Sequence, residues 1–352
     1  MADDFIKDTC ERVKDHASRK APLAIRGGGT KEFLGAPPAG EPLEVAGYAG
    51  IVAYEPRELV LVVRAGTRLA EVEAALAAEG QALAFEPPRF GEAATIGGTV
   101  ACNLSGPRRP YAGATRDFVL GARIVNGRGE DLSFGGRVIK NVAGYDVSRL
   151  MAGAYGTLGV VTELSFKVLP RPPAEATLAF EMDEPAMIEA VNKWAGQPLP
   201  LSATAWESGV LRVRLSGAAS AVAAARAKLG GAEVADGPAY WEALREHRLP
   251  FFDPAKPLWR LSVAQTAAPV AAGHPQLVEW GAGLRWVSGD LGASRARELA
   301  TAARGHATLF RGGDRAAGVF HPLDPAIAKI HRRLKEAFDP AGILNPGRMD
   351  NI

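Results

Sequence analysis

Apolar residues at helical spacing open the chain: Ile6, Cys10, Val13 and Ala17 share one face, predicting an amphipathic helix over 5–18. Pro22-Leu23-Ala24-Ile25 then reads as a short strand that runs into Arg26-Gly27-Gly28-Gly29-Thr30, a stretch bare of side chains. A Pro/Gly-rich stretch follows, from Gly35 to Gly47. The continuous apolar run Leu59–Val63 predicts a buried strand. A helix carrying Leu69, Val72 and Leu76 on one side comes next, with Thr67 as its expected cap and Gly80 as its stop. Phe118–Val125 and Asp131–Phe134, joined by Asn126-Gly127-Arg128-Gly129, predict a hairpin. From Val160 to Val168 apolar and polar residues alternate, as in a half-buried strand, and Pro170, Pro172 and Pro173 mark a first boundary.

Beyond that boundary the order is β-α-β-β-α-β. Strand Thr177–Met182, helix Pro185–Trp194, strands Leu201–Trp206 and Val210–Leu215, helix Ala219–Leu229 and strand Glu233–Ala235 make a ferredoxin-like unit. A looser echo follows: strands Leu258–Ala264, Leu277–Trp280 and Leu284–Val287, helix Ser294–Ala303 and strand Ala307–Phe310. Two such halves can build one antiparallel sheet with helices on one face. A last helix starts at Asp324 (N-cap) and Pro325, with Ile327, Ile330, His331, Leu334 and Phe338 on one side, and ends at Asp339-Pro340.

Composition narrows the function. The chain of 352 residues is 47% hydrophobic, enough for two cores, and its net charge of +2 leaves no single-sign field. No Lys/Arg block resembles a nucleic-acid stripe, so DNA and RNA are not expected partners. The acidic start Met1-Ala2-Asp3-Asp4 and the lack of an apolar run of spanning length predict a chain without signal peptide or transmembrane segment, cytoplasmic in location. The two cysteines, Cys10 and Cys102, are too few to hold an iron–sulfur cluster, and the six histidines never fall at metal-ligand spacing. A catalytic metal is not expected.

Three glycine clusters remain. The first is Gly27–Gly29; the second lies in Thr95-Ile96-Gly97-Gly98-Thr99, with Asn103, Ser105 and Gly106 beyond; the third is Gly153-Ala154-Tyr155-Gly156-Thr157-Leu158-Gly159. Consecutive glycines cost backbone entropy, and a chain tolerates them at positive φ or where something approaches the amides closely. A nest of free amides suits a diphosphate, with Arg26 adding charge, and a Thr95-capped helix would offer further outward amides. A tight turn between strands is the competing reading of the first cluster. An amide bond to a charged group is worth about 1.5–3 kcal/mol. Micromolar binding needs about 8 kcal/mol net, so one loop would scarcely suffice whereas several loops around a long ligand would. Neither Gly-x-Gly-x-x-Gly between strand and helix nor Gly-x-x-x-x-Gly-Lys-Ser/Thr is present, which excludes the common nucleotide folds.

RGGGT (Arg26–Thr30), TIGGTVACNLSG (Thr95–Gly106), RDFVLGARIVNGRGE (Arg116–Glu130), KNVAGYDVSRLMAGAYGTLGVVTE (Lys140–Glu163) and FDPAGILNPG (Phe338–Gly347) occur in that order. Together they resemble the vanillyl-alcohol-oxidase (PCMH-type) FAD flavoproteins, and within them the E-type, FAD-binding subunits of bacterial glycolate oxidase (glycolate dehydrogenase). WEALREHRLPFF (Trp241–Phe252) carries the same resemblance into the second half. The likeness is strong over residues 20–170, moderate at the C-terminus and weak through most of 171–325.

The resemblance implies an α+β chain: a PCMH-type FAD-binding domain of two α+β subdomains over 1–170, a cap domain of duplicated ferredoxin-like α+β over 171–323, and a C-terminal helix and loop over 324–352 that returns to the first domain. It implies FAD, with Arg26, Gly27, Gly28, Gly29 and Thr30 at the diphosphate. Thr95, Ile96, Gly97, Gly98, Asn103, Ser105 and Gly106 would form a second flavin loop. Gly159, Val160 and Val161 would meet the adenosine half, and Asn345 the isoalloxazine edge. Strand packing accounts equally well for Val160 and Val161, and a turn for Asn345. Relatives with covalent flavin place a histidine beside the glycine loop; Thr30 stands there here, which implies non-covalent FAD. Cys102 reads as a small packed residue.

Catalytic relatives carry His-x-Gly-Asp-Gly-Asn-x-His and a later Glu-His-Gly as a metal cluster. Here His306-Ala307-Thr308-Leu309-Phe310-Arg311-Gly312-Gly313 keeps one histidine, and Gly318-Val319-Phe320-His321 replaces the second motif. The resemblance therefore implies an accessory flavin, electron-transfer and assembly role within a glycolate-oxidising complex. Its implied partners are the D-type glycolate oxidase polypeptide, which carries FAD and the main catalysis, and the F-type polypeptide, which supplies iron–sulfur transfer. The complex would lie peripherally at the inner membrane. The alternative is a self-sufficient FAD-dependent alcohol or 2-hydroxy-acid oxidoreductase whose candidate catalytic residues are Arg311 and His321, with Arg260 and Arg285 as further candidates for its pocket.

Overall fold

In the computed structural model, residues 2–136 and 146–349 are described; Lys140–Tyr145 of the fourth motif lie outside them. The N-terminal half is built on a five-stranded antiparallel sheet in the spatial order Ile51–Glu55, Val60–Arg64, Val160–Lys167, Val119–Val125, Asp131–Gly135. Leu61, Val63, Leu164 and Phe166 of its central strands pack in one core with Leu69, Val72 and Leu76 of helix Leu69–Ala78 and with Phe85 and Ile96. The expected hairpin forms through Asn126, whose side chain accepts from the Arg128 and Glu130 amides. Beside this sheet sits a parallel pair, Leu23–Arg26 with Glu41–Glu44. The C-terminal loop joins it through a parallel bridge between Leu23 and Leu344.

The second sheet has eight strands, all antiparallel. One half follows the ferredoxin-like order Ala232–Glu233, Ala174–Glu181, Val210–Gly217, Leu201–Glu207. The other half mirrors it from Gln276–Glu279 through Leu284–Ser288 and Leu258–Ser262 to His306–Arg311, with the halves joined edge to edge at Ala205 and Glu279. One face packs on helices Glu184–Ala195, Ala219–Leu229 and Ala293–Ala302. The opposite face carries Ala203, Ala205, Leu258, Leu277 and Trp286 onto Leu34, Phe33 and Tyr155 of the N-terminal half.

Three expectations are corrected. Thr67 does not cap the helix that follows; Arg68 is the N-cap, and the Thr67 hydroxyl instead ties the Gly50 amide to the Arg64 carbonyl. Helix Gly237–Arg245, which buries Trp241 and Leu244, has no counterpart in the sequence reading. Helix Pro325–Phe338 forms as expected, yet Ile327 and Ile330 are 44% and 52% exposed. What anchors that helix is Lys335, whose buried ammonium donates to Asp339 Oδ2 (2.6 Å) and to the carbonyls of Thr157 and Leu344 (both 2.8 Å). Asp339 in turn accepts from the Ile343 and Leu344 amides, which fixes the returning loop.

Candidate functional site

The parallel pair and the five-stranded sheet leave a cleft between them, and the glycine clusters meet there. Gly27, Gly28, Gly29 and Thr30 form one wall, Thr95, Gly97 and Gly98 a second, and Gly156, Gly159 and Val161 a third, with Asn345 closing the end. The space between these walls is open to solvent. The amides of Gly27, Gly28, Gly29 and Thr30 find no acceptor among the described residues, so they are free for an anion. Lys31 and Arg348 also line the cleft. Burial lowers the pKa of both, and each is held by backbone carbonyls, Lys31 by Arg89 (3.1 Å) and Arg348 by Ala36 (2.6 Å).

The glycines are demanded by packing as well as by openness. A Cβ on Gly28 would stand 1.5 Å from the Ala93 carbonyl oxygen, and one on Gly27 2.5 Å from Thr95 Oγ1. Side chains there would force the first two walls apart. Gly29 is at φ +72°, a left-handed conformation that glycine adopts without strain. Asn345 (φ 42°) accepts from the Ile25 amide and donates to the Tyr155 carbonyl, both at 2.7 Å. It thereby clamps the end of the first strand to the third glycine cluster.

Arg26 and Thr95 also line this cleft, whereas several other candidates lie elsewhere. Arg26 is exposed and paired with Glu32 (2.6 Å), with Glu44 at 3.9 Å, so its charge is already answered at the rim. Thr95 caps helix Ile96–Cys102 as expected, its side chain accepting from the Gly98 amide. The first amides of that helix are not outward donors, however. Ile96 donates to the Thr67 carbonyl and Gly97 to that of Ala65, because the helix start is stitched to the neighbouring strand end. Ile96 and Val160 are fully buried core residues off the cleft wall. Asn103 faces an adjoining chamber, and Ser105 and Gly106 border a small pocket near Trp280.

That chamber shares Cys102 and Tyr155 with the cleft and lies under the eight-stranded sheet. Strand register sets its ceiling: Arg260 pairs with Thr308 and Ser262 with His306, which puts all four on one face. His321 joins them, its Nδ1 accepting from the Ala307 amide at 3.3 Å. Burial lowers the His306 pKa, aided by Arg260, and burial does the same for His321 beside Arg297. Arg285 is excluded by parity: it points to the helix-covered face and pairs with Glu184 at 2.5 Å. Arg311 lies past a register shift and donates to the Phe252 carbonyl, 3.0 Å away, outside the chamber. His247 is a core residue stacked on Phe252, kept neutral by a pKa that burial pushes down to about 3.

Lys31, Tyr155, Arg348 and the half-buried Cys102 belong to these walls without having been legible as site residues; no spacing marks them, because only the folded loops bring them together. Arg109, the other deep cation of the chamber, follows the second glycine cluster by three residues and carried no separate signal.

Comparison with known proteins points to the same cofactor. Residues 6–135 match the family described as an FAD binding domain, and residues 312–349 that of the FAD linked oxidases, C-terminal domain. The chain is 47% identical to "Glycolate oxidase subunit GlcE" of Escherichia coli (strain K12) over 346 residues, 98% of this chain and 97% of the relative. "Glycolate oxidase subunit GlcD" of Bacillus subtilis is 34% identical over 165 residues, 46% of this chain and 35% of that protein. A solved alkyldihydroxyacetonephosphate synthase superposes with a TM-score of 0.65 over 97% of this chain and 75% of that one, at 18% identity, a likeness of fold alone. The chain belongs to the FAD-linked oxidoreductases of the PCMH type, in the glycolate oxidase subunit family that includes GlcE.

Proposed function

We propose that this chain is the accessory FAD-binding member of a multi-subunit complex that oxidises glycolate to glyoxylate, alongside a catalytic flavin polypeptide of the GlcD kind and an iron–sulfur polypeptide. In this reading the free amides of Gly27–Thr30 hold the FAD diphosphate, Gly159 and Val161 border the adenosine half, and Asn345 stands at the isoalloxazine edge. The cofactor, when bound, supplies acceptance of a hydride from a carbon that bears a hydroxyl group. The chain contributes a seat for it and a surface through which the complex assembles.

The observation that carries the accessory role is the make-up of the chamber beside the cleft. Asp324 is the only carboxylate among its described lining residues, beside His306, His321 and His331. The carboxylate-and-histidine cluster of catalytic relatives has no matching donor set there. Purified alone, the chain is expected to be yellow and to release FAD on denaturation, yet to turn over glycolate poorly with an artificial acceptor. Full activity restored by adding the catalytic and iron–sulfur polypeptides supports the assignment; rapid turnover by the lone chain overturns it. In that event the second reading, a self-sufficient oxidoreductase using His321 and its neighbours without a metal, takes its place, and flavin bleaching across a panel of alcohols and hydroxy acids identifies its substrate.

A further inference from the structure

Two guanidinium groups stand beside the flavin cleft with no carboxylate in contact among the described residues; Glu279 lies near Arg260 without forming an ion pair with it. Arg109 and Arg260 both line the chamber, and their central carbons lie 4.5 Å and 5.1 Å from the centroid of the Trp280 ring. Neither forms an ion pair or a side-chain hydrogen bond among the described residues, whereas Arg108, Arg123, Arg214 and Arg285 all find carboxylates. Arg260 sits deep in the protein with only part of its surface open to the chamber. Burial, together with repulsion from Arg109, brings its pKa down to about 10. Buried charges in folded proteins are ordinarily paired, because an unpaired one forfeits hydration without an electrostatic return. Contact with the Trp280 ring, and for Arg260 the nearby Glu279, return part of that cost, but two neighbouring cations with no carboxylate in contact remain a costly arrangement that a bound anion would relieve.

We infer that Arg109 and Arg260 form a binding site for a small carboxylate anion on this chain itself. The guanidinium fork matches a carboxylate in shape as well as charge, and His306 and Thr308 on the same sheet face add polar edges. Since Cys102 and Tyr155 are common walls, a carboxylate held by the two arginines is next door to the cleft. This deepens the proposed function and rests on it: the chain would bind a substrate-sized acid whether or not it performs the main oxidation.

Oxalate and glycolate, titrated into the purified chain at constant ionic strength, are the probes, read by the rise in Tm and by the change in the flavin absorption band. The wild-type protein is expected to saturate. R109M and R260M should each weaken Kd by about tenfold or more. R260K, which keeps the charge and loses the fork, should fall between, and it carries the test if R260M does not fold. R295M, at an exposed arginine on helix Ala293–Ala302, should bind as wild type does. No Tm response, an unchanged Kd in R109M and R260K, or an equal response to sulfate would overturn the site. Tm reads anion binding with or without FAD, so a colourless chain that binds oxalate defeats the flavin assignment alone, and a yellow chain that ignores oxalate defeats this inference alone.

Discussion

Glu279 shows what burial does to a single side chain near the site. Its carboxyl accepts from Trp286 Nε1 at 2.7 Å, and burial raises its pKa from an ordinary 4.5 to about 7 despite Arg260 nearby. Between those two values the folded chain holds a proton that the unfolded chain has released, so this group's contribution to stability falls as pH rises through the window. E279Q cannot titrate and keeps an acceptor for the indole. Its Tm relative to wild type is therefore expected to climb between about pH 5 and pH 8, as a melting series at several pH values would reveal; a constant difference would mean that Glu279 does not change protonation there. At this scale the sequence was legible only in part. Gly27, Gly28 and Gly98 were found by their bareness, but the collision of a Gly28 side chain with Ala93 was not, because Ala93 is distant in sequence and adjacent only in the fold.

Elements were read more completely, since period and capping are local. Most strands and helices stand within a few residues of their expected bounds, including the β-α-β-β-α-β unit and the looser echo of three strands, a helix and a strand that follows it. What the period leaves open is which face meets which neighbour. Arg260 and Arg285 both lie in strands of one sheet, and alternation sends one to the chamber and the other to Glu184 beneath the helices. R285M should destabilise the chain by about 3–5 kcal/mol, since it strands a largely buried carboxylate, while leaving FAD content unchanged. Chemical denaturation and the ratio of flavin to protein absorbance test the two halves of that statement. Helix Pro325–Phe338 is the counterpart: its amphipathic face is plain in sequence, yet its fixed point is the buried Lys335 rather than Ile327 or Ile330.

Over the whole molecule, the two sheets are locked by polar hubs that no local pattern announces. Glu86 accepts from Arg214 through both oxygens (2.8 and 2.9 Å) and from the Arg108 amide, and Glu246 accepts from the Arg89 and Phe90 amides. The cleft itself is shared by segments from residue 25 to residue 348. A ligand that grips all of them stabilises the folded state by mass action, by about 2.7 kcal/mol when free FAD stands at a hundredfold its Kd. Removal of FAD should accordingly lower Tm, and its return should restore it in proportion to the logarithm of concentration; an unchanged Tm would leave the cleft without its ligand.

Taken by itself, the chain's order of residues determined the elements, the duplication of the second sheet, the flavin family and the presence of glycine loops, because each of these is written in spacing along a few tens of residues. Tertiary structure alone decided that the loops face one cleft, that Ile96 and Gly97 spend their amides on neighbouring carbonyls, and that Arg109 and Arg260 share a chamber from which Arg285 and Arg311 are turned away. Those outcomes depend on strand parity, register shifts and contacts between residues far apart in the chain, none of which has a local signature.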